Sequence, residues 1–239
     1  MRVNVYSDKF SGTLSAAEVL KVIKSVFKNF DIQANYFPVT DGGEHSTEIF
    51  KHFNMQTESV SMKKDFVGSW IPAEYLNING DIYFESASLI GVNKTSEHPF
   101  NLNTAALSQV IPEIDVLGLG GSKTVDGGIG LLSCLGIDFY AGEVIITNPK
   151  PKDFKDITAV KVNDYFSNLE LKVLTDTSTR LLGSNSAVAM YGPQKGLNKK
   201  EIKHLEEQLE RVFQIVSTEL NIPLDPFKKE TGAAGGLSF

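Results

Sequence analysis

The sequence predicts an α/β protein, and three observations lead to that class. Apolar segments with the alternation of strands are interspersed with segments whose apolar residues recur every three or four positions. Polar, glycine-rich loops follow several of the strand-like segments, as they do at the ligand-binding edge of open α/β sheets. The 239 residues are 41% hydrophobic, so the chain can bury a substantial core.

The first part of the chain is predicted to form a strand, a helix and a second strand. Val3 to Tyr6 is the first strand, and Ser15 to Glu18 has the sequence of a capping box that opens a helix running to about Phe30. The second strand, Ile32 to Phe37, is expected to be parallel to the first because a helical crossover joins them. The helix face expected to be buried comprises Val19, Leu20, Ile23, Val26, Phe27 and Phe30.

The pattern changes near residue 56, which is the candidate domain boundary. Gln56 to Ser86 consists of short alternating segments with Asn79-Gly80 as a turn signal, and it predicts an antiparallel meander. We then expect a short helix around 103–111, a strand at 116–117 and a helix near 129–135. The α/β pattern therefore resumes after the meander.

The last third of the chain continues this pattern. Val173-Leu174 is strand-like and precedes a polar loop, and a long amphipathic helix is predicted after Asn198. Gly192 to Gly196 is interpreted as a rigid turn that holds Lys195 in a fixed place. Gly232 to Leu237 has the composition of a phosphate-binding loop.

Charge and cysteine content narrow the class of partner. The formal net charge is -6 and no run of Lys or Arg exceeds two residues, which argues against nucleic acid or a membrane surface. The one cysteine, Cys134, has the apolar neighbours Leu132 and Leu135 and is expected in the core of a protein from a reducing compartment. We therefore expect a cytoplasmic protein that binds a small molecule.

Two polar loops follow the N-terminal strands. Asp8, Lys9 and Gly12 lie before the first helix, where a carboxylate, an ammonium group and a flexible glycine suit anion binding, although a capped turn needs similar residues. Asp41 lies in the loop 40–44 after the second strand, where two acids around two glycines suit magnesium. Both loops are candidate ligand sites.

The loop Gly118 to Gly128 is the richest in glycine. A dinucleotide fingerprint requires glycine where Lys123 stands, and a P-loop requires glycine where Ser122 stands, so neither motif is complete. Closely spaced glycines nevertheless expose backbone amides, Lys123 adds positive charge, and Asp126 suits a metal. The candidates for phosphate binding in this loop are Gly120, Gly121, Ser122 and Lys123.

Taken in order, these loops resemble the bacterial glycerate kinase family. The matching segments are Asp8 to Ala16, Asp41 to Glu44, Glu85 to Ala87, Gly118 to Gly128, Asp176, Gly192 to Gly196 and Gly232 to Leu237. The segment 192–196 matches the family's Gly-Pro-Gln-Lys-Gly in full, whereas Ser11 and His45 replace a family lysine and glycine. The resemblance covers the whole chain, and the chain covers the opening part of the family's length.

The resemblance implies two unlike α/β domains. Residues 1–56 would begin a Rossmann/flavodoxin-like domain that a later segment, apparently absent here, normally completes. Residues 57–239 would form an inserted mixed-sheet domain that carries the glycine-rich loops.

The resemblance also implies a reaction, the transfer of the ATP γ-phosphoryl group to a hydroxyl of D-glycerate with Mg²⁺. Such a transfer requires alignment and charge stabilisation, which acids, lysines and glycines provide. The expected catalytic residues are Asp8, Asp41, Asp126, Asp176 and Lys195. The expected metal ligands are Asp41 and Asp126, and the expected nucleotide-binding residues are Lys9, Gly12, Gly120, Gly121, Ser122 and Lys123.

Three alternatives stay open from sequence alone. They are another small-acid kinase, a nicotinamide-dependent oxidoreductase, and a catalytically inactive remnant of a truncated glycerate kinase. The missing third glycine of the dinucleotide fingerprint speaks against the oxidoreductase. Assembly into a homo-oligomer is also left open.

Overall fold

The computed structural model describes residues 2–10, 13–163 and 169–239, which form a mixed α/β structure. The strands within these residues are β1 Arg2–Ser7, β2 Gln33–Pro38, β3 Gln56–Lys64, β4 Trp70–Ile78, β5 Asp81–Glu85, β6 Val116–Gly118, β7 Ile137–Ala141, β8 Val144–Ile145, β9 Ala159–Val162 and β10 Lys172–Leu174. The α-helices are α1 Ala16–Asn29, α2 Ser46–His52, α3 Ala87–Ile90, α4 Ile129–Cys134, α5 Ala187–Lys195 and α6 Lys199–Leu220.

The N-terminal unit is a two-stranded parallel sheet with one crossover helix. β1 and β2 pair in register from Arg2 opposite Gln33 to Ser7 opposite Pro38, and α1 connects them. The Ser15 hydroxyl accepts from the Glu18 amide, and the Glu18 carboxylate accepts from the Ser15 amide. The predicted strands, their parallel pairing and the capping box are therefore confirmed.

The apolar face of α1 is only partly buried. Val19 and Leu20 are buried, whereas Val26 is 45% exposed and Phe30 is 70% exposed. On the opposite side of the sheet, Tyr6 is exposed and its ring stacks on Phe37. The expectation that the whole helix face is core is wrong for Val26 and Phe30, because a sheet of two strands is too narrow to cover the far end of the helix.

The central sheet has five strands in the order β10-β6-β5-β4-β3. β3, β4 and β5 are antiparallel neighbours, which confirms the predicted meander, and Asn79 and Gly80 turn between β4 and β5 with positive φ angles of 56° and 101°. β6 is parallel to both β5 and β10, and Gly118 pairs with Glu85 on one side and Leu174 on the other. Three strands therefore end together, and the loops that follow them lie at one edge of the sheet.

A third sheet, with strand order β8-β7-β9, was not predicted from the sequence. It packs beside α6, which begins at the Asn198 capping box as expected. The core between them contains buried residues such as Phe139, Val160 and Phe213. Within the described part of the chain, no helix combines the length and the apolar character needed to cross a membrane.

Three local expectations require correction. Gly192 to Gly196 is not a separate turn: Gly192 to Lys195 forms the last turn of α5, and Gly196 ends the helix with φ 107°. Cys134 is exposed rather than buried, because it is the last residue of the short helix α4 and its thiol lies 3.2 Å from Asn148 Oδ1. The expected helix around 103–111 consists of 3₁₀ turns.

Candidate active site

Loops from the two-stranded and the five-stranded sheets meet at a cleft of about 500 Å³. The loops after β1, β2, β6 and β10 all contribute to it, together with the end of α5 and the segment Ala233 to Gly235. The charged and amide side chains that line the cleft are Lys9, Asp41, Glu44, Asp176, Gln194 and Lys195. Ligands of α/β proteins bind at such a position, beyond the carboxyl ends of parallel strands.

One wall of the cleft carries an ion pair. Lys9 Nζ donates to Asp41 Oδ2 at 2.9 Å, and Asp41 Oδ1 accepts from the Gly43 amide at 2.8 Å. Burial lowers the pKa of Lys9, but the hydrogen bond and the charge of Asp41, with further carboxylates nearby, raise the pKa overall. Lys9 therefore stays positively charged at the cleft surface.

The two walls touch through glycine backbones. A Cβ atom added to Gly43 would lie 2.7 Å from Gly120 Cα, and one added to Gly118 would lie 2.1 Å from the Gly42 carbonyl oxygen. No side chain fits at either contact, so these glycines permit the loop after β2 to lie directly against the loop after β6. Gly120 and Gly121 thereby line the cleft with backbone rather than side chain.

Lys195 lies below the opposite wall of the cleft. Its side chain comes from the last turn of α5, and Nζ donates to the Thr124 carbonyl oxygen at 2.7 Å and to Ser122 Oγ at 3.2 Å. The residue is only 5% exposed. The pKa of Lys195 is lowered to about 7, chiefly by burial. The charge of Asp126 opposes this shift, and the charge of Lys123 adds to it. Both hydrogen-bond acceptors are neutral, so the ammonium form has little compensation until an anion approaches.

Asp126 lies beneath the cleft surface. It is fully buried, and Oδ2 accepts from the Thr104 amide at 2.9 Å, the Thr104 hydroxyl at 2.8 Å and the Gly130 amide at 2.9 Å. Among the described residues, Oδ1 has no hydrogen-bond partner. Burial raises the pKa of the carboxyl, while the hydrogen bonds oppose this effect. The side chain fixes the glycine-rich loop to the start of α4.

The structure brings together most of the predicted site residues. Those that line the cleft are Lys9, Asp41, Gly120, Gly121, Ser122, Asp176 and Lys195. Those that do not line it are Asp8, Lys123 and Asp126. Asp8 is nevertheless adjacent, with Oδ1 4.0 Å from Lys9 Nζ. Gly12 lies outside the described residues.

Sequence reasoning missed several residues of the cleft. Glu44 belongs to the predicted acid-glycine loop but was given no role, and Gln194 lies inside the recognised 192–196 segment. Tyr191 precedes that segment by one residue, and its position on the last turns of α5 directs it to the cleft. Thr175 and Thr177 flank Asp176. Each of these residues lies in or next to a recognised sequence motif, and this proximity could have identified it as a candidate site residue.

The donor set suits a magnesium ion that is held mainly by nucleotide. No group of three or more His, Cys, Asp or Glu residues within 2–10, 13–163 and 169–239 is arranged to hold a metal. Mg²⁺ in nucleotide sites usually has one or two protein carboxylates and completes its shell with phosphates and water. Asp41, Glu44 and Asp176 line the cleft, so one or two of these carboxylates could serve as protein ligands.

Comparisons with known proteins agree with this geometry. The model of the glycerate kinase family matches residues 3–239. The glycerate kinase of Halalkalibacterium halodurans is 30% identical over 96% of this chain and 65% of its own length. The glycerate 2-kinase of Escherichia coli is 27% identical over 99% of this chain and 66% of its own length. The chain therefore spans about two thirds of the length of these curated relatives.

A solved structure shows the same fold. The crystal structure assigned to glycerate kinase 2 from Salmonella typhimurium LT2 superposes with a TM-score of 0.73 and 23% identity, covering 100% of this chain and 69% of that chain. The fold thus agrees with the family match, which extends over nearly every residue of the sequence. The chain belongs to the glycerate kinase family.

Proposed function

We propose that this chain carries the phosphoryl-transfer site of a glycerate kinase, which moves the γ-phosphoryl group of ATP to a hydroxyl of D-glycerate. The observation that carries the proposal is the cleft itself. It places Lys9 and Asp41 on one wall, and Ser122 with the buried Lys195 on the other. The names of the two curated relatives support the same reaction.

The wall formed by the glycine-rich loop is suited to the nucleotide phosphates. Gly120, Gly121 and Ser122 line the cleft where backbone can approach an anion closely, and Lys195 adds a donor beneath them. A phosphate at this wall would supply the negative charge that Lys195 lacks. Lys9, on the facing wall, would stabilise the charge that spreads over the transferred group.

Of the three carboxylates that line the cleft, Asp41 and Asp176 take different roles in this proposal. Asp41 is the candidate metal ligand, because the hydrogen bonds from Lys9 Nζ and the Gly43 amide hold its carboxylate in a fixed position in the cleft. Asp176 is exposed at the cleft and is the better candidate to accept the proton of the attacking hydroxyl. When bound, Mg²⁺ supplies charge neutralisation of the nucleotide phosphates. The predicted metal role of Asp126 would require the loop above it to move, because its carboxylate is fully buried.

The proposal includes the wider setting of the reaction. Residues 1–56 would begin the Rossmann/flavodoxin-like domain and residues 57–239 would form the inserted domain, which is supported by the separation of the two-stranded sheet from the five-stranded sheet. The acceptor is a small organic acid and the donor is ATP, and we propose that the reaction takes place in the cytoplasm. Whether the chain assembles into a homo-oligomer is to be determined by measuring its mass in solution.

The test is ADP release by the 239-residue chain with ATP and Mg²⁺, with and without D-glycerate, followed by ³¹P NMR of the product. We expect D-glycerate-dependent release that falls by about 10²-fold in Asp41→Asn. Asp81→Asn is the matched control, because Asp81 forms an ion pair of 2.7 Å with Lys172 at an exposed position outside the cleft. No release from a folded sample would favour the inactive remnant.

A further inference from the structure

Two side chains of β5 reach out of the central sheet to the loop after β2. The Tyr83 hydroxyl donates to the Gly42 carbonyl oxygen at 2.9 Å. The Glu85 carboxylate accepts from the His45 amide and from the Thr47 amide, each at 3.0 Å. Tyr83 and Glu85 are two positions apart on one strand and therefore lie on the same face. A strand of one sheet thus binds the loop that follows a strand of another.

Both residues are built into the interior. Tyr83 is fully buried, and its ring packs edge-on against Phe50 of α2 with the centroids 5.0 Å apart. Burial raises the pKa of the Tyr83 hydroxyl, so the group stays protonated and remains a donor. Its neighbour Gly118 is also constrained, because a Cβ atom there would lie 2.3 Å from the Tyr83 oxygen. A side chain at position 118 would therefore displace the Tyr83 hydroxyl from its contact with Gly42.

Glu85 performs the task of a capping residue from a distant strand. The residue at the N-cap position of α2 is His45, whose side chain makes no capping hydrogen bond. The first amides of a helix otherwise lack partners, and the Glu85 carboxylate accepts from two amides at this end. Glu85 therefore fixes where α2 begins and, with it, the position of the preceding residues.

Neither residue lines the cleft, but both hold the loop that supplies one wall of it. The loop between Asp41 and Thr47 contains two residues of that wall, Asp41 and Glu44, and Asp41 holds Lys9. We propose that Tyr83 and Glu85 are positioning residues for phosphoryl transfer, which set the Lys9–Asp41 pair at its working distance from the glycine-rich loop. This inference rests on the proposed function and deepens it.

The proposal makes a specific kinetic prediction. In the phosphate-binding wall, Lys195 is held by Ser122 and Thr124 rather than by Tyr83 or Glu85, so we expect the KM for ATP to change less than twofold. Alignment of Asp41 and Lys9 matters in the transition state, where a displacement of about 1 Å can lower the rate by about 10²-fold. Loss of the anchors should therefore lower kcat and leave the KM for ATP nearly unchanged.

The test compares two buried tyrosines of the same sheet. Tyr83→Phe removes only the hydroxyl that binds Gly42. Tyr75→Phe is the matched control, since Tyr75 lies on β4, is 1% exposed, and its hydroxyl accepts from Ser61 Oγ at 3.4 Å away from the cleft. We expect kcat to fall about tenfold or more in Tyr83→Phe and in Glu85→Gln, and to stay within twofold in Tyr75→Phe. Equal losses in both tyrosine variants would overturn the proposal.

A double-mutant cycle separates positioning from general destabilisation. If Tyr83 acts through Asp41, the effect of Tyr83→Phe on kcat should disappear in the Asp41→Asn background. Fully additive effects would show that Tyr83 acts by another route, and the positioning role would then be rejected.

Hydrogen exchange provides a readout that does not depend on turnover. Amides 42–47 should exchange at least tenfold faster in Tyr83→Phe than in wild type, whereas Tyr75→Phe should leave them unchanged. If this difference in exchange is seen but ADP release does not depend on glycerate, the anchoring role of Tyr83 is supported and the proposed function is rejected. Unchanged exchange in Tyr83→Phe would reject the anchoring, whatever the activity.

Discussion

The two regions that face each other across the cleft differ in how firmly their own packing holds them. The described residues of the N-terminal region, 2–10 and 13–55, form one parallel pair of strands and two α-helices, and they expose large apolar side chains such as Tyr6 and Phe30. Residues 56–239 contain two clusters of buried residues, in which Phe84 and Phe213 are almost wholly inaccessible. One wall of the candidate site, which contains Lys9, Asp41 and Glu44, therefore belongs to the less well packed region.

This difference shows how a small, weakly packed unit can still hold site residues in a fixed position. Parallel sheets are normally covered on both faces, and two strands alone are marginally stable. The loop after β2 compensates by contacts with the central sheet, through Tyr83, Glu85 and the glycine contact between Gly43 and Gly120. The geometry of the N-terminal wall is thus largely determined by the other region. Four predictions test this contrast.

The largest effect is expected in the core of the larger region. Phe213→Ala removes a ring that is 2% exposed and lies with its centroid 4.4 Å from that of Phe239. We expect the free energy of unfolding to fall by about 3–5 kcal/mol, because the cavity cannot close fully. Urea unfolding monitored by circular dichroism measures it. A loss below 1 kcal/mol would mean that the contrast between the two regions is overstated.

The next effect concerns the contact between the regions. Gly43→Ala would place a methyl group 2.7 Å from the Gly120 backbone, which cannot move aside. We expect a loss of about 1–3 kcal/mol in stability and a clear loss of ADP release. Gly192→Ala is the control, since its methyl group would meet side-chain ends, Ile202 at 3.1 Å and Leu197 at 3.4 Å, rather than backbone. Similar losses in both variants would show that the contact at Gly43 is not special.

The third effect depends on pH and arises from Lys195. Its folded-state pKa is lowered to about 7, so above pH 7 the folded chain has released a proton that the unfolded chain keeps until about pH 10.4. Stability should therefore rise with pH in this window by up to about 1.4 kcal/mol per unit, relative to Lys195→Met. Below pH 7 the difference should be constant. Urea titrations at four pH values measure it, and a flat difference between pH 7 and 9 would contradict the lowered pKa.

The smallest effect is expected on the open face of α1. Phe30→Ser changes a side chain that is 70% exposed, so the free energy of unfolding should change by less than about 0.5 kcal/mol. The same urea experiment applies, with Phe213→Ala as the contrasting variant. A loss above 2 kcal/mol would indicate that Phe30 is covered in solution, for instance by another copy of the chain.

Local signals in the sequence predicted most of the elements. The capping box at Ser15, the turn at Asn79-Gly80 and the cap at Asn198 each act within a few residues, and the structure has a boundary at each of them. The exposure of Phe30 could not be predicted in this way, because periodicity shows which face is apolar and not whether anything covers it. The segment 192–196 was predicted to be a turn because glycine and proline are typical of turns. Most of it is instead the last turn of the helix that starts at Ala187.

The sequence predicted which loops form the candidate site, but it predicted few of the contacts between them. Lys9, Asp41 and Asp176 each lie in a loop that follows a strand, and Lys195 comes from the last turn of α5. Glu85 was part of a recognised motif, but the anchoring contacts of Tyr83 and Glu85 could not be predicted, because each joins residues about 40 positions apart. The assignment of individual roles stays a prediction.

The backbone contact between Gly43 and Gly120 also bears on how sequences of this kind can diverge. Two segments of the backbone touch there without a side chain between them, so their spacing is set by van der Waals contact of the backbones rather than by a choice of side chain. Substitution can alter what projects into the cleft, but it cannot adjust this spacing in small steps. Variation in what the cleft binds would therefore come from its lining side chains and not from a gradual widening of the gap.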